Sequence, residues 1–171
     1  MMKYNFSPGP AKLNSSVLQI VNSNILEYKD EGISILELSH RSESFQNILY
    51  ETKRNLKELL NIPSNYQLLF LQGGATFHNT LLASNINEKK LTTNLITGTW
   101  GQKTYEDFIK IRSSQKILLR NSEIEEYIQN PLLQDLLNAD YTHVTSNETI
   151  EGIQLREFNT IQNNLIIDSS S

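Results

Sequence analysis

Three short clusters and one single residue are of types that bind charged or aromatic ligands. Each cluster follows a predicted strand, and the single residue closes one. They are Gly73-Gly74-Ala75-Thr76, Gly98-Thr99-Trp100, Asn147-Glu148-Thr149 and Asp168. Glycines let the backbone turn tightly, and the first turn of a helix presents unpaired N–H groups that attract phosphate. An N–H cradle, an aromatic face, a hydroxyl and a carboxylate together suit a flat, phosphorylated, basic heterocycle.

Alternating helices and strands must position these clusters. Apolar residues at helical spacing predict helices from the Asn14-Ser15-Ser16 cap to Tyr28, at 44–60, from about Phe77 to Ala83, at 102–111 and within 122–137. Apolar extended runs predict strands at 33–38, 68–71, 91–97, 116–119, 141–146 and 165–168, with a short extended piece at 153–156. This alternation predicts a mostly parallel α/β sheet with helices on its faces, where ligands bind beyond the carboxyl ends of the strands.

Composition limits the classes of function. The 171 residues are 38% apolar with a net charge of −4, which predicts a globular protein with one substantial core. The absence of cysteine excludes disulfides, thiolate metal sites and a cysteine nucleophile. The largest basic cluster is Lys89-Lys90, so no nucleic-acid partner is predicted. No run is apolar enough to span a membrane or act as a signal peptide, which predicts a cytoplasmic location.

Each candidate residue also has a structural interpretation. A strand–Gly-Gly–helix turn is more often a plain connection than a ligand site, and Trp100 after a strand is ordinarily a core or interface residue. Arg41 suits an ion pair with a nearby glutamate, and Asp168 suits the cap of a following helix. His78 and His143 have no companions at ligand spacing, so they are interpreted as packing or surface residues and no metal site is predicted.

Six segments distributed along the whole chain carry a family resemblance: 5–11, 39–42, 69–76, 97–100, 146–152 and 168–170. In this order they resemble the phosphoserine aminotransferase family, part of the class V pyridoxal-phosphate transaminases of the aspartate-aminotransferase fold. The Ser-His-Arg and Asn-Glu-Thr elements are the more specific ones. The resemblance implies an extended N-terminal arm at 1–14 and, at 15–171, the first part of the large cofactor-binding domain.

The resemblance also implies a cofactor, pyridoxal 5'-phosphate, and the residues that hold it. Ala75 and Thr76 would bind its phosphate at a helix N-terminus, and Trp100 would stack on its ring. Thr149 would hydrogen-bond near the phenolic oxygen. Asp168 would pair with the ring nitrogen and keep it protonated.

For substrates, the resemblance implies transfer of an amino group from glutamate to 3-phosphohydroxypyruvate in L-serine biosynthesis, and in some bacteria also a role in pyridoxine biosynthesis. Arg41 would bind an anionic group of the substrate, with His40 beside it. The complete enzyme of this family is a homodimer.

One departure from the family concerns the lysine that forms the Schiff base with the cofactor. In the family this lysine follows the strand that ends in the aspartate, whereas all ten lysines here precede Asp168 and none follows Lys116. The chain is therefore expected to be truncated, without the catalytic lysine and catalytically incomplete on its own. Two alternatives stay open: a non-catalytic remnant or interaction module of the same fold, and another class V transaminase for a small amino acid.

Overall fold

The computed structural model describes residues 4–7, 10–119, 139–156, 158, 161 and 163–170. The chain divides into two compact units, Met1–Leu71 and Gln72–Ser171. The helices predicted within 122–137, and Pro8-Gly9 of the predicted arm, lie outside the described residues.

The first unit contains two helices whose caps explain where they begin. Helix α1 spans Ser15–Asn24, and the Asn14 side chain accepts a hydrogen bond from the Ser16 N–H at 3.0 Å. Helix α2 spans Glu43–Leu59, and the Ser42 hydroxyl accepts one from the Phe45 N–H at 3.2 Å. Both predicted helices are confirmed, although α1 ends four residues before Tyr28.

The predicted strand at 33–38 is wrong. A single 3-10 turn, Ile35–Glu37, occupies this stretch. The Ser34 hydroxyl accepts a hydrogen bond from the Leu36 N–H, and the Glu37 carboxylate accepts one from the Ser34 N–H at 2.9 Å. This reciprocal capping box satisfies the backbone locally, so the apolar residues do not need a ladder partner.

The second unit consists of two helices and six strands among its described residues. The helices are α3, Ala75–Asn85, and α4, Thr99–Ile111. The strands are β1 Thr92–Ile96, β2 Gln115–Leu118, β3 Tyr141–Thr145, β4 Asn147–Glu148, β5 Ile153–Gln154 and β6 Asn164–Asp168. None of the helices described in either unit is long and apolar enough to cross a membrane.

Four of these strands form a parallel sheet in the order β2-β1-β3-β6, and β4 and β5 form a separate antiparallel pair. From β1 the chain passes through α4 to β2 on one side, whereas β3 pairs with the other side of β1. The carboxyl ends of β1 and β3 therefore form a topological switch point, where α/β sheets bind ligands. The predicted parallel α/β architecture is confirmed.

The predicted strand at 68–71 is wrong. Leu68–Leu71 pairs with no described strand, and Leu69, Phe70 and Leu71 are 57 to 69% exposed. A strand is stabilised by ladder hydrogen bonds to a neighbour, and an apolar run does not supply that neighbour.

Packing differs between the two faces of the sheet. On one face, Leu95, Val144, Leu119 and Leu155 form an aliphatic cluster. On the other face, the ring of Phe108 from α4 lies 5.7 Å from the ring of His143 on β3. Helix α4 thus packs on the face of the sheet that carries His143.

Candidate functional site

A cleft of about 160 Å³ lies at the switch point between β1 and β3. Its wall includes Ala75, Thr76, Trp100, Thr145, Asn147 and Asp168. We call it the switch-point cleft. It brings together four of the five predicted cofactor-binding residues, and the fifth, Thr149, is hydrogen-bonded to Trp100.

The N-terminus of α3 opens onto this cleft without a side-chain cap. Gly74 is the N-cap residue, and no side chain in the described parts of the chain caps the first turn. Gly73 has φ +91°, a left-handed conformation that favours glycine, and a Cβ there would lie 2.6 Å from Cδ1 of Phe77. The helix begins at Ala75, two residues before the predicted start, so its free N–H groups belong to residues on the cleft wall.

The N-terminus of α4 is occupied by carboxylates of the protein itself. Glu148 accepts hydrogen bonds from the N–H groups of Trp100 and Gly101, each at 2.8 Å. Glu151 accepts one from the Thr99 N–H at 2.9 Å and another from the Thr99 hydroxyl. Hydrogen bonding to Thr99 holds the pKa of Glu151 below its usual range. The N-terminus of α4 is therefore occupied, whereas the N-terminus of α3 is available to an external anion.

Trp100 presents a partly exposed indole to the cleft. The side chain is 37% exposed, and its Nε1–H donates to the Thr149 hydroxyl at 3.0 Å. The ammonium of Lys103 lies 5.9 Å from the centre of the indole. The Nε1–H edge of the ring is thus fixed by Thr149, while the indole stays partly exposed at the cleft.

Asp168 is the last residue of β6 and lies opposite Thr145 of β3 in the parallel register. Its Oδ1 accepts hydrogen bonds from the Ser170 N–H at 3.0 Å and from the Ser170 hydroxyl at 2.7 Å. These bonds orient the carboxylate at the edge of the cleft. No helix follows Asp168 among the described residues, so its interpretation as a helix cap stays untested.

Thr145 belongs to the site but was not predicted. It is 3% exposed, it lines the cleft, and its hydroxyl is buried without a hydrogen-bond partner among the described residues. A buried hydroxyl without a partner is costly, so it is suited to receive a polar group of a ligand. The signal was present in the alternation of β3, which places residues 141, 143 and 145 on one face.

His143 lies two residues before Thr145, on the same face. It is 2% exposed, and neither ring nitrogen has a hydrogen-bond partner within the described parts of the chain. Burial lowers its pKa from 6.5 to about 4, although the charge of Asp168 acts in the opposite direction. Its contact with Phe108 agrees with the packing interpretation.

Arg41 and His40 lie in the first unit, in the turn that leads into α2, and both are exposed. The Arg41 N–H donates to the Ser39 hydroxyl at 3.2 Å. Among the described residues of its unit, Arg41 has no carboxylate at ion-pair distance, and the nearby Glu37 instead caps the 3-10 turn. The predicted roles of these two residues stay predictions.

The parallel sheet and the ligand cleft at its switch point define an α/β protein of the pyridoxal-phosphate transferase fold. The chain belongs to the aminotransferase class-V family, whose model matches residues 3–165. The family resemblance carried by the six sequence segments is thereby confirmed.

Several relatives are phosphoserine aminotransferases. The protein of that name from Streptococcus thermophilus is 39% identical over 161 residues, which cover 91% of this chain and 44% of the relative. The solved structure from Bacillus circulans subsp. alkalophilus matches with a TM-score of 0.79 and 34% identity, over 95% of this chain and 46% of that one. The pyridoxal-phosphate-bound structure from Trichomonas vaginalis matches with a TM-score of 0.79 and 27% identity, over 98% of this chain and 51% of that one. The chain spans about half the length of these relatives.

Proposed function

We propose that this chain forms the cofactor-binding part of a pyridoxal-phosphate-dependent phosphoserine aminotransferase. The single observation that carries the proposal is the switch-point cleft, whose lining combines an uncapped helix N-terminus, a partly exposed indole and a carboxylate. The reaction would transfer an amino group between glutamate and 3-phosphohydroxypyruvate in L-serine biosynthesis, and in some organisms it would also serve pyridoxine biosynthesis. The identity to the Streptococcus relative supports this substrate class.

The cleft residues fit the parts of the cofactor. The N–H groups of Ala75 and Thr76, with the Thr76 hydroxyl, would hold the phosphate, because the helix dipole favours an anion there. The indole of Trp100 would cover one face of the ring. The Thr149 hydroxyl accepts a hydrogen bond from the indole and can still donate its own hydrogen to the phenolic oxygen.

Bound pyridoxal phosphate supplies an electron sink for negative charge at the substrate α-carbon. Asp168 would hold a proton on the ring nitrogen, because a nearby negative charge favours the cationic form of that nitrogen. The two hydrogen bonds from Ser170 keep its carboxylate oriented for this task. The buried hydroxyl of Thr145 would provide a further polar contact beneath the ring.

Arg41 would recognise a carboxylate or phosphate of the substrate. Its guanidinium carries fixed donors that match both groups, and no carboxylate of its own unit neutralises it among the described residues. His40 would contribute beside it. The complete enzyme would be a cytoplasmic homodimer, on the basis of the resemblance.

Binding of the cofactor can be measured through the single tryptophan. Titration of the purified chain with pyridoxal phosphate should quench Trp100 fluorescence saturably, and inorganic phosphate should compete. Thr76→Val should weaken binding about fivefold, since one phosphate contact is lost. Thr80→Val on the same helix, one turn further from the N-terminus, is the matched control.

The outcomes separate the candidate functions. A chain that shows no saturable quenching would be a non-catalytic remnant or interaction module, and the proposal would be wrong. A complete enzyme that prefers an unphosphorylated keto acid to 3-phosphohydroxypyruvate would be another class V transaminase.

A further inference from the structure

The carboxylate of Glu148 is one of the most deeply buried polar groups of the second unit. The residue is 1% exposed, and its two oxygens accept hydrogen bonds from the consecutive N–H groups of Trp100 and Gly101. Hydrogen bonds to a charged acceptor at a helix N-terminus are among the stronger ones in proteins. Glu148 thus fixes the backbone of the residue whose indole lines the cleft.

Glycines at the start of α4 leave space for the Glu148 carboxylate. A Cβ at Gly98 would lie 2.7 Å from Oε2 of Glu151 and 2.8 Å from the carboxyl carbon of Glu148. A Cβ at Gly101 would lie 3.0 Å from Oε1 of Glu148. Gly98 has φ −168°, which any residue adopts, so glycine is needed there for space. Both glycines that flank Thr99-Trp100 leave room for Glu148, and Gly98 also leaves room for Glu151.

The next residue along the chain completes a second link to Trp100. The Thr149 hydroxyl accepts the indole Nε1–H at 3.0 Å. Consecutive residues therefore hold Trp100 twice, once at its backbone and once at its ring. The Gly152 N–H donates to the Glu148 carbonyl at 2.8 Å, which closes the turn that carries both residues.

We propose that Glu148 is a positioning residue that holds the Trp100 indole and the Thr149 hydroxyl in the arrangement required to bind the cofactor ring. This inference rests on the proposed function for the identity of the ligand. The positioning of the indole itself does not depend on that identity, and it can be measured separately.

The test compares Glu148→Gln with Glu151→Gln in the full chain. In Glu148→Gln an NH₂ group replaces one carboxylate oxygen and would face a backbone N–H, so one of the two backbone hydrogen bonds is lost. Glu151 is exposed, and it accepts hydrogen bonds from Thr99 rather than from Trp100. The same substitution at Glu151 is therefore the matched control.

Two fluorescence readouts report on Trp100 directly. Without cofactor, Glu148→Gln should raise the acrylamide quenching constant at least about twofold and lower the anisotropy, because the indole gains freedom. The dissociation constant for pyridoxal phosphate should rise about tenfold for Glu148→Gln and less than about twofold for Glu151→Gln. Circular dichroism checks that each variant is folded.

Thr149→Val provides a second test if Glu148→Gln does not fold. It removes the acceptor of the indole bond and leaves the buried carboxylate in place, so a rise in acrylamide quenching is expected. Unchanged quenching and unchanged cofactor affinity in the folded variants would overturn the proposal. A parent chain that does not bind pyridoxal phosphate would contradict the proposed function, while the acrylamide measurement would still decide whether Glu148 positions the indole.

Discussion

Asp168 is the residue whose charge matters most to the proposed chemistry. In a complete, cofactor-loaded enzyme, Asp168→Asn should keep the fold, since an amide can still accept the Ser170 hydrogen bonds. It removes the negative charge that favours a protonated ring nitrogen, so proton abstraction from glutamate should slow by roughly 10² to 10⁴, or about 3–5 kcal/mol. Rapid-mixing absorbance with glutamate measures this step. An unchanged rate would assign Asp168 to the capping role alone.

Arg41 gives a prediction about substrate affinity. In a complete enzyme, Arg41→Ala should raise the KM for the phosphorylated substrate by a factor equivalent to about 2 kcal/mol, because a charge-assisted bidentate contact is lost. Arg54→Ala, at an exposed position of α2, is the control. If KM and kcat are unchanged for both substrates, Arg41 is a surface residue that does not bind the substrate.

His143 gives a prediction about stability and pH. Its folded-state pKa of about 4 lies below the 6.5 of an unfolded chain, so the unfolded state binds the proton first as pH falls. The free energy of unfolding should therefore decrease between pH 6.5 and pH 4, by about 3 kcal/mol from this group. Denaturant titrations of the parent, His143→Gln and the exposed control His40→Gln measure the effect. If the free energy of unfolding of His143→Gln depends on pH as it does in the parent, a group other than His143 causes the dependence and the prediction is wrong.

At the scale of the elements, the turn into α3 sets the geometry of the anion site. Gly73→Ala should cost about 1–3 kcal/mol of folding stability, since it combines a positive φ with a clash against Phe77. Gly74→Ala is the matched control, because φ is −86° there and a Cβ would meet nothing within 4 Å. Equilibrium unfolding separates the two variants. Equal losses of stability would contradict the prediction, because neither the positive φ nor the contact with Phe77 would then be costly.

Local patterns in the sequence predicted the elements that depend on local interactions. The cap at Asn14 and the periodicity behind it located α1, and apolar periodicity alone located α2. The runs at 33–38 and 68–71 were misjudged because apolar side chains do not reveal whether a ladder partner is available. The rule that ligands bind at strand carboxyl ends predicted the location of the site residues that follow β1 and β3 or close β6. The bonds of Glu148 to α4 join residues 47 and 48 positions apart, so no local pattern could predict them.

At the scale of the whole molecule, the prediction concerns catalysis by the 171 residues alone. The resemblance assigns the Schiff-base lysine to a position after Asp168, and the chain has no lysine after Lys116. The purified chain should show no turnover with glutamate and 3-phosphohydroxypyruvate, even where it binds the cofactor. Turnover that disappears when one of its own lysines is replaced would contradict this prediction.

The strand order predicts different mobility for the two sides of the switch-point cleft. In the described sheet β1 and β3 have neighbours on both sides, whereas β6 pairs with β3 alone. Backbone opening is rarest at interior strands and more frequent at edges. The side of the cleft that carries Trp100 follows the interior strand β1, while Asp168 ends the edge strand β6. A ligand in the cleft would thus contact a rigid side that follows β1 and a more mobile side that ends β6. Its binding should reduce backbone motion mainly in β6.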